Sequence, residues 1–116
     1  QAETLLFDCL TLYITNLMLA PEAPIDREER FCYIRDKITC LLDAAMASGK
    51  TVIFVTNEVG LGIVPDNALA REYRDVAGSV NQQVAAAAQE VYFAVSGIAV
   101  NIKQLVAQPG RGDDHR

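Results

Sequence analysis

The sequence lacks an apolar run of the roughly 18 residues that a membrane-spanning helix needs. It also lacks basic excess: 10 Lys and Arg face 15 Asp and Glu, a formal net charge of −5. Nucleic acids and anionic membranes bind clustered basic residues, so neither is an expected partner. No basic stretch precedes an apolar one at the N-terminus, so no signal peptide is predicted. We therefore expect a cytoplasmic protein.

Cysteine and histidine are scarce. The three cysteines, Cys9, Cys32 and Cys40, are odd in number and form no C-x-x-C pair. On one helix, Cys32 and Cys40 would lie about 12 Å apart, which is too far for a disulfide. We expect reduced, buried thiols. The one histidine, His115, lies in the polar C-terminal segment, and no metal-ligand cluster or Ser-His-Asp arrangement is visible.

Apolar residues make up 51% of the chain, enough for a packed core in one domain. Apolar runs predict strands, and apolar residues at helical spacing predict helices between them. In chain order these are a strand at 5–7, helices at 11–19 and 27–48, a strand at 51–56, a helix over about 66–87, a strand at 91–95 and a short strand at 99–102. Asp66 is the predicted cap of the third helix, and its predicted apolar stripe is Leu69, Tyr73, Val76, Val80, Val84 and Ala87.

The three main strands are apolar without alternation, which is typical of parallel strands covered by helices on both faces. The sequence therefore predicts an α/β fold with a mostly parallel sheet and flanking helices. We expect one domain over residues 1–106 and a flexible tail over residues 107–116.

Polar residues follow each main strand. Asp8 follows the first strand, Asn57 and Glu58 follow the second, and Ser96 follows the third. Ligands of open α/β sheets bind outside the carboxyl ends of the strands, so we expect Asp8, Asn57 and Ser96 to share one edge. An acidic residue at such an end often holds Mg²⁺ in nucleotide-binding proteins. Alternatively, Asp8 caps the next helix or meets solvent, and Glu58 is an ordinary loop residue.

A phosphate-binding loop is not found. The segment Ser48-Gly49-Lys50-Thr51 matches only the end of G-x-x-x-x-G-K-[ST], and Ala44 stands where the first glycine belongs. The segment also follows a helix and precedes a strand, which is the reverse of the required order.

A set of longer segments carries a specific resemblance. They are residues 55–65 (VTNEVGLGIVP), 67–71 (NxLAR), 73–78 (YRDxAG), 80–82 (VNQ), 85–87 (AAA) and 95–98 (VSGI), preceded by 6–11 (LFDCLT) and 15–17 (TNL). Together they resemble the adenosylcobinamide kinase / adenosylcobinamide-phosphate guanylyltransferase family from about residue 4 to residue 103.

That resemblance implies part of a RecA-like P-loop fold and a role late in cobalamin synthesis. The family phosphorylates adenosylcobinamide and then transfers GMP from GTP through a guanylylated histidine. Its implied substrates are adenosylcobinamide and GTP or ATP with Mg²⁺, and its habit is trimeric. Family members carry the Walker A loop and that histidine in an N-terminal region that these 116 residues do not contain. We therefore expect this chain alone to catalyse neither step.

The resemblance also assigns residues to roles. Asp8 matches the family's acidic position that binds nucleotide or Mg²⁺. Asn57 and Glu58 match the family's strand-end loop, which implies a role in nucleotide binding. The polar helix positions that match substrate-binding residues are Arg71, Arg74 and Asn81.

A structural alternative exists for the same side chains. Asn57 could simply order its loop, and Arg71 and Arg74 could pair with Glu72 and Asp75 on a solvated helix face.

Three hypotheses remain at this point. The chain is part of the bifunctional enzyme, or a non-catalytic relative that acts as an interaction or binding module, or an unrelated small α/β binding domain. With only three long strands, the sheet would leave an apolar flank open, and such flanks recruit other chains. We therefore expect the chain to associate with another copy or with an N-terminal piece of the same protein.

Overall fold

The structure, a computed structural model, describes residues 3–58 and 67–105 and divides the chain into two compact units, Gln1–Val84 and Ala85–Arg116. The α/β class and the order of the predicted elements are confirmed. The predicted tail lies outside the described residues. The elements are β1 (Thr4–Asp8), α1 (Leu10–Leu19), α2 (Arg27–Ala47), β2 (Thr51–Val55), α3 (Ala68–Ala87), β3 (Tyr92–Val95), β4 (Ile98–Asn101) and a 3₁₀ helix (Ile102–Leu105).

The first unit is built on a parallel pair of strands. β1 and β2 run in register from Thr4 opposite Thr51 to Asp8 opposite Val55. Helices α1, α2 and α3 supply the buried core, and Phe7 and Phe54 of the two strands pack against it. The core residues are Leu10, Ile14, Met18, Ile34, Ile38, Val76, Ala77, Val80 and Val84.

Only one face of this sheet is covered by the described helices. Side chains alternate along a strand, so Phe7 and Phe54 point to the helices while Leu6 and Ile53 point to the opposite face. Leu6 is 65% exposed and Ile53 is 47% exposed. The prediction of helices on both faces is therefore wrong for the described chain, because an apolar run shows that a strand can be buried and not what buries it.

Local signals set the ends of the second helix. The Asp26 carboxylate accepts a hydrogen bond from the backbone N–H of Glu29 at 3.0 Å, which confirms the predicted N-terminal cap. Gly49 follows the helix with a φ of 69°, a conformation that glycine adopts at low cost after a helix.

The cap of the third helix lies one residue later than predicted. The side-chain oxygen of Asn67 accepts from the backbone N–H of Ala70 at 2.7 Å, so Asn67 caps this helix, and Asp66 lies outside the described residues. The predicted stripe is buried at Val76, Val80 and Val84, but Leu69 is 57% exposed. Leu69 lies in the first turn, where spacing alone does not predict burial.

The second unit contains a β-hairpin. β3 pairs antiparallel with β4, from Tyr92 opposite Asn101 to Val95 opposite Ile98. Ser96 and Gly97 form the two-residue turn with φ values of 53° and 78°, the positive pair that a type I′ turn requires. The prediction that β3 is a buried parallel strand is therefore wrong. All four of its residues are exposed, and a two-residue connection cannot join parallel strands.

All three cysteines are free thiols, as expected. Cys32 and Cys40 are exposed and Cys9 is half-buried, so the prediction that they are buried is wrong. The buried positions of α2 are Ile34 and Ile38, and a residue two positions away from these lies on the opposite side of the helix. The helices in the described part of the chain do not combine the length and the apolar character that a membrane span requires.

Candidate functional site

The carboxyl ends of β1 and β2 form one edge of the parallel sheet. Asp8 is the last residue of β1 and lies opposite Val55, the last residue of β2. Thr56, Asn57 and Glu58 follow Val55 directly. Asp8 and Asn57 therefore lie at the same edge, as the strand pattern predicts. We call residues 8–9 and residues 56–58 together the carboxyl edge.

Ser96 does not follow a strand of this sheet. It lies in the turn of the β3–β4 hairpin, where its backbone completes the reversal of the chain. The prediction that it follows a parallel strand with Asp8 and Asn57 is wrong, because β3 pairs with β4.

The carboxamide of Asn81 bonds to both residues after β2. Its oxygen accepts from the Thr56 hydroxyl at 2.7 Å, and its nitrogen donates to the Asn57 carbonyl at 3.0 Å. Asn81 lies on α3 and is half-buried. The sequence prediction paired Asn81 with substrate, whereas both ends of its carboxamide contact the protein.

The first turn of α1 reaches the same segment. The Thr11 hydroxyl accepts from the backbone N–H of Asn57 at 3.4 Å. The Thr11 carbonyl accepts from the Tyr73 hydroxyl of α3, also at 3.4 Å. Sequence reasoning gave Thr11 and Tyr73 no role at the site, because the bonds of Thr11 to Asn57 and to Tyr73 join residues that are 46 and 62 positions apart.

Arg71 and Arg74 lie on α3, Arg71 exposed and Arg74 half-buried. Both take part in interactions. The acidic residues proposed as their partners bond to α2: Glu72 pairs with Arg30 at 2.6 Å and Asp75 with Arg27 at 3.0 Å.

Glu72 is the one buried charged residue among the described positions, with 5% of its surface exposed. The hydrogen bonds from Arg30 hold the pKa of the Glu72 carboxyl below its ordinary value, against the effect of burial. Sequence reasoning missed this pair because Arg30 and Glu72 are 42 positions apart. The Arg30–Glu72 pair connects α2 to α3. Among the described hydrogen bonds, none joins this pair to the carboxyl edge.

Acidic and thiol groups do not converge in the described chain. Within residues 3–58 and 67–105, no three His, Cys, Asp or Glu side chains are placed to hold a metal together. Asp8 is exposed and is the carboxylate at the end of β1, and Glu58 follows β2 at the same edge. One carboxylate fits Mg²⁺, which keeps several waters and binds through one or two carboxylates together with substrate phosphates.

A family model described as cobinamide kinase / cobinamide phosphate guanyltransferase matches residues 1–102. This match includes the carboxyl edge, α3 and the hairpin. It excludes the hypothesis of an unrelated small α/β domain.

Curated relatives agree with the family match. The bifunctional adenosylcobalamin biosynthesis protein CobU of Salmonella typhimurium is 47% identical over 107 residues, which are 87% of this chain and 59% of the relative. The CobU protein of Escherichia coli is 46% identical over the same shares. The bifunctional adenosylcobalamin biosynthesis protein CobP of Pseudomonas aeruginosa is 38% identical over 99 residues, 85% of this chain and 53% of the relative. This chain thus spans little more than half the length of these relatives, and it belongs to the cobinamide kinase / cobinamide phosphate guanyltransferase family.

Proposed function

We propose that this chain supplies the carboxyl-edge part of the nucleotide site in a bifunctional enzyme of cobalamin biosynthesis. The enzyme phosphorylates adenosylcobinamide and then transfers GMP from GTP to that phosphate. The single observation that carries the proposal is the position of Asp8. It ends β1 in register with the end of β2, at the edge where open α/β sheets bind ligands, in a chain that matches the family over residues 1–102.

In this proposal Asp8 binds Mg²⁺ or the nucleotide directly. A Mg²⁺ ion bound with the nucleotide neutralises charge that develops on the phosphates. Asn57 and Glu58 line the nucleotide, since they follow the neighbouring strand at the same edge. Arg71 and Arg74 are the candidate substrate contacts, because a guanidinium binds phosphate oxygens well.

The remaining parts of the proposal follow from the family. The fold is RecA-like, and the P-loop and the guanylylated histidine come from an N-terminal region such as family members carry. The enzyme is cytoplasmic and oligomeric, in the trimeric habit of the family. Its substrates are adenosylcobinamide and GTP or ATP.

A chimeric enzyme, which we call the joined protein, tests this function. The 107 matched residues of the Salmonella typhimurium relative are replaced by this chain, and the purified product is incubated with radiolabelled GTP. We expect a covalent label on the joined protein and none on the 116-residue chain alone. Asp8→Asn should slow labelling about 100-fold, since a metal contact contributes several kcal/mol to phosphoryl transfer.

Asp43→Asn is the matched control, because Asp43 is an exposed acid of α2 and should leave labelling unchanged. A joined protein that melts cooperatively but takes up no label contradicts the proposal. So does full activity of the Asp8→Asn variant.

A second candidate is a non-catalytic interaction module derived from this family. The observation that favours it is the apolar surface left exposed on the sheet at Leu6 and Ile53, since large apolar patches mark interfaces. The same assay separates the two candidates: a folded joined protein without activity supports the module.

A further inference from the structure

The backbone of Asn57 is held from two helices. Its N–H donates to the Thr11 hydroxyl of α1 at 3.4 Å, and its carbonyl accepts from the Asn81 side chain of α3 at 3.0 Å. The 3.4 Å bond is long and therefore the weaker of the two. Asn81 also accepts from the Thr56 hydroxyl at 2.7 Å, so its one carboxamide fixes two consecutive residues.

A carboxamide suits this task because it has a donor and an acceptor in one rigid plane. The acceptor faces Thr56, and the donor faces the carbonyl of Asn57. An aspartate would lose the donor, and an alanine would lose both.

We propose that Asn81 is a positioning residue that holds Thr56 and Asn57 at the carboxyl edge. This role rests on the proposed function, in which that edge binds the nucleotide. Asn81 acts on the nucleotide through Thr56 and Asn57, and it does not contact substrate. The predicted substrate contacts on α3 then reduce to Arg71 and Arg74.

A set of four substitutions separates positioning from general stabilisation. Asn81→Ala removes both bonds, and Asn81→Asp keeps only an acceptor. Thr56→Val removes the hydroxyl at nearly constant size, whereas Thr56→Ser retains it. Gln82→Ala is the matched control, because Gln82 is the next residue on the same helix and is exposed.

The first measurement uses the full chain and records backbone amide signals and hydrogen exchange by NMR. Asn81→Ala, Asn81→Asp and Thr56→Val should shift the signals of Thr11 and residues 56–58. Exchange at these positions should accelerate about tenfold in Asn81→Ala, the scale of a hydrogen bond or two. In Thr56→Ser and Gln82→Ala, exchange at Thr11, Asn57 and Glu58 should match the wild type. Faster exchange throughout β1, β2 and α3 alike would indicate a merely structural role and overturn the proposal.

The second measurement uses the joined protein and separates kcat from KM for GTP. Asn81→Ala should lower kcat/KM about tenfold, with Thr56→Ser close to the wild type. Kinetics within twofold of the wild type for Asn81→Ala, or unchanged signals at Thr11 and residues 56–58, overturn the proposal. If the unsubstituted joined protein is inactive, the proposed function fails, and the NMR measurement on the full chain decides this inference alone.

Discussion

At the scale of single residues, Arg30 of α2 makes four hydrogen bonds. They join α2 to α3 and to the loop that precedes α2. Its Nε and Nη2 donate to the two carboxylate oxygens of Glu72, both at 2.6 Å. Its Nη1 donates to the carbonyls of Pro24 and Ile25 at 3.0 and 2.7 Å. Two parallel bonds to one carboxylate are the strongest geometry that an arginine offers, and they fix how α3 lies on α2.

Glu72→Gln should destabilise the chain by about 1–3 kcal/mol at pH 7, because the buried Glu72 position loses the charge-assisted hydrogen bonds that it receives from the half-buried Arg30 guanidinium. Urea unfolding measures this difference. Asp75→Asn is the matched control on the same helix. Its pair with Arg27 is exposed, and exposed pairs contribute about 1 kcal/mol or less. Equal effects of the two substitutions would contradict the assignment of Glu72 as the buried partner.

The same pair makes stability depend on pH. The pKa of Glu72 is lowered in the folded chain, so its contribution is complete above the unfolded value of about 4.3. It is lost as the pH falls further through the folded pKa, because the unfolded state takes up the proton first. The advantage of the wild type over Glu72→Gln should therefore shrink below pH 4.3 or so. A constant difference from pH 7 down to acid unfolding would refute this linkage.

The sequence predicts the placement of some residues at the site and not of others. The placement of Asp8, Asn57 and Glu58 at the carboxyl edge could be predicted from sequence, because residues that directly follow neighbouring parallel strands share one edge of the sheet. Thr11 and Asn81 could not be given their roles, because their bonds depend on how α1 and α3 pack beside β2. The partners of Glu72 and Asp75 were assigned within α3, yet both bonds cross to α2.

At the scale of elements, the hairpin is set by its turn. Ser96 and Gly97 both have positive φ, which glycine tolerates and other residues adopt at a cost. Two consecutive positive φ values give the turn a backbone twist that matches the twist of the two strands. A two-residue loop can therefore join β3 to β4. The dipeptide Ser-Gly between two apolar runs is a turn signal, and it outweighs the apolar character that suggested a parallel strand.

Two glycine substitutions should change stability in opposite directions. Gly97→Ala forces a left-handed conformation on alanine and should cost about 1 kcal/mol. Gly78→Ala lies inside α3 and should gain about 0.5–1 kcal/mol. A Cβ added at either position meets no atom within 4 Å, so backbone conformation alone decides the sign. Hydrogen exchange of the hairpin amides reports the first change and thermal unfolding the second; the same sign for both would contradict this account.

Periodicity predicted the long helices well and the strands less well. The capped start at Asp26 and the glycine after Ser48 delimit α2 within a residue of its observed end. An apolar strand carries no comparable signal for its neighbour or for its second face. The apolar runs that contain Leu6 and Ile53 predict that both are core residues, yet they are exposed in the described chain.

At the scale of the whole molecule, each unit by itself leaves apolar side chains exposed. In the first unit these lie on the sheet face that the described helices do not cover, and in the second they lie on the hairpin strands. The chain also spans only 59% of its Salmonella typhimurium relative. On the uncovered sheet face the exposed apolar residues are Leu6, Ile53 and Val55, and on the hairpin strands they are Tyr92, Phe93, Val95, Ile98 and Val100.

We therefore predict that the purified chain associates with further copies of itself when no other segment covers these surfaces. Unpaired strand edges and apolar patches beyond roughly a few hundred Å² recruit partners. The charge of −5 favours solubility without covering the patch. Analytical ultracentrifugation over a wide dilution range should give a sedimentation coefficient that falls as the chain is diluted.

Substitutions on the open sheet face test where the contact lies. Leu6→Lys with Ile53→Lys should shift the chain toward the monomer, because a charged sheet surface resists pairing with another chain. Leu12→Lys is the matched control, since the exposure of Leu12 lies between those of Leu6 and Ile53 but Leu12 lies on α1, and it should leave association unchanged. A monomer that is compact and melts cooperatively at every concentration would refute the prediction. That result would leave the non-catalytic module as the reading in which the open sheet face is kept for a protein other than a second copy of this chain.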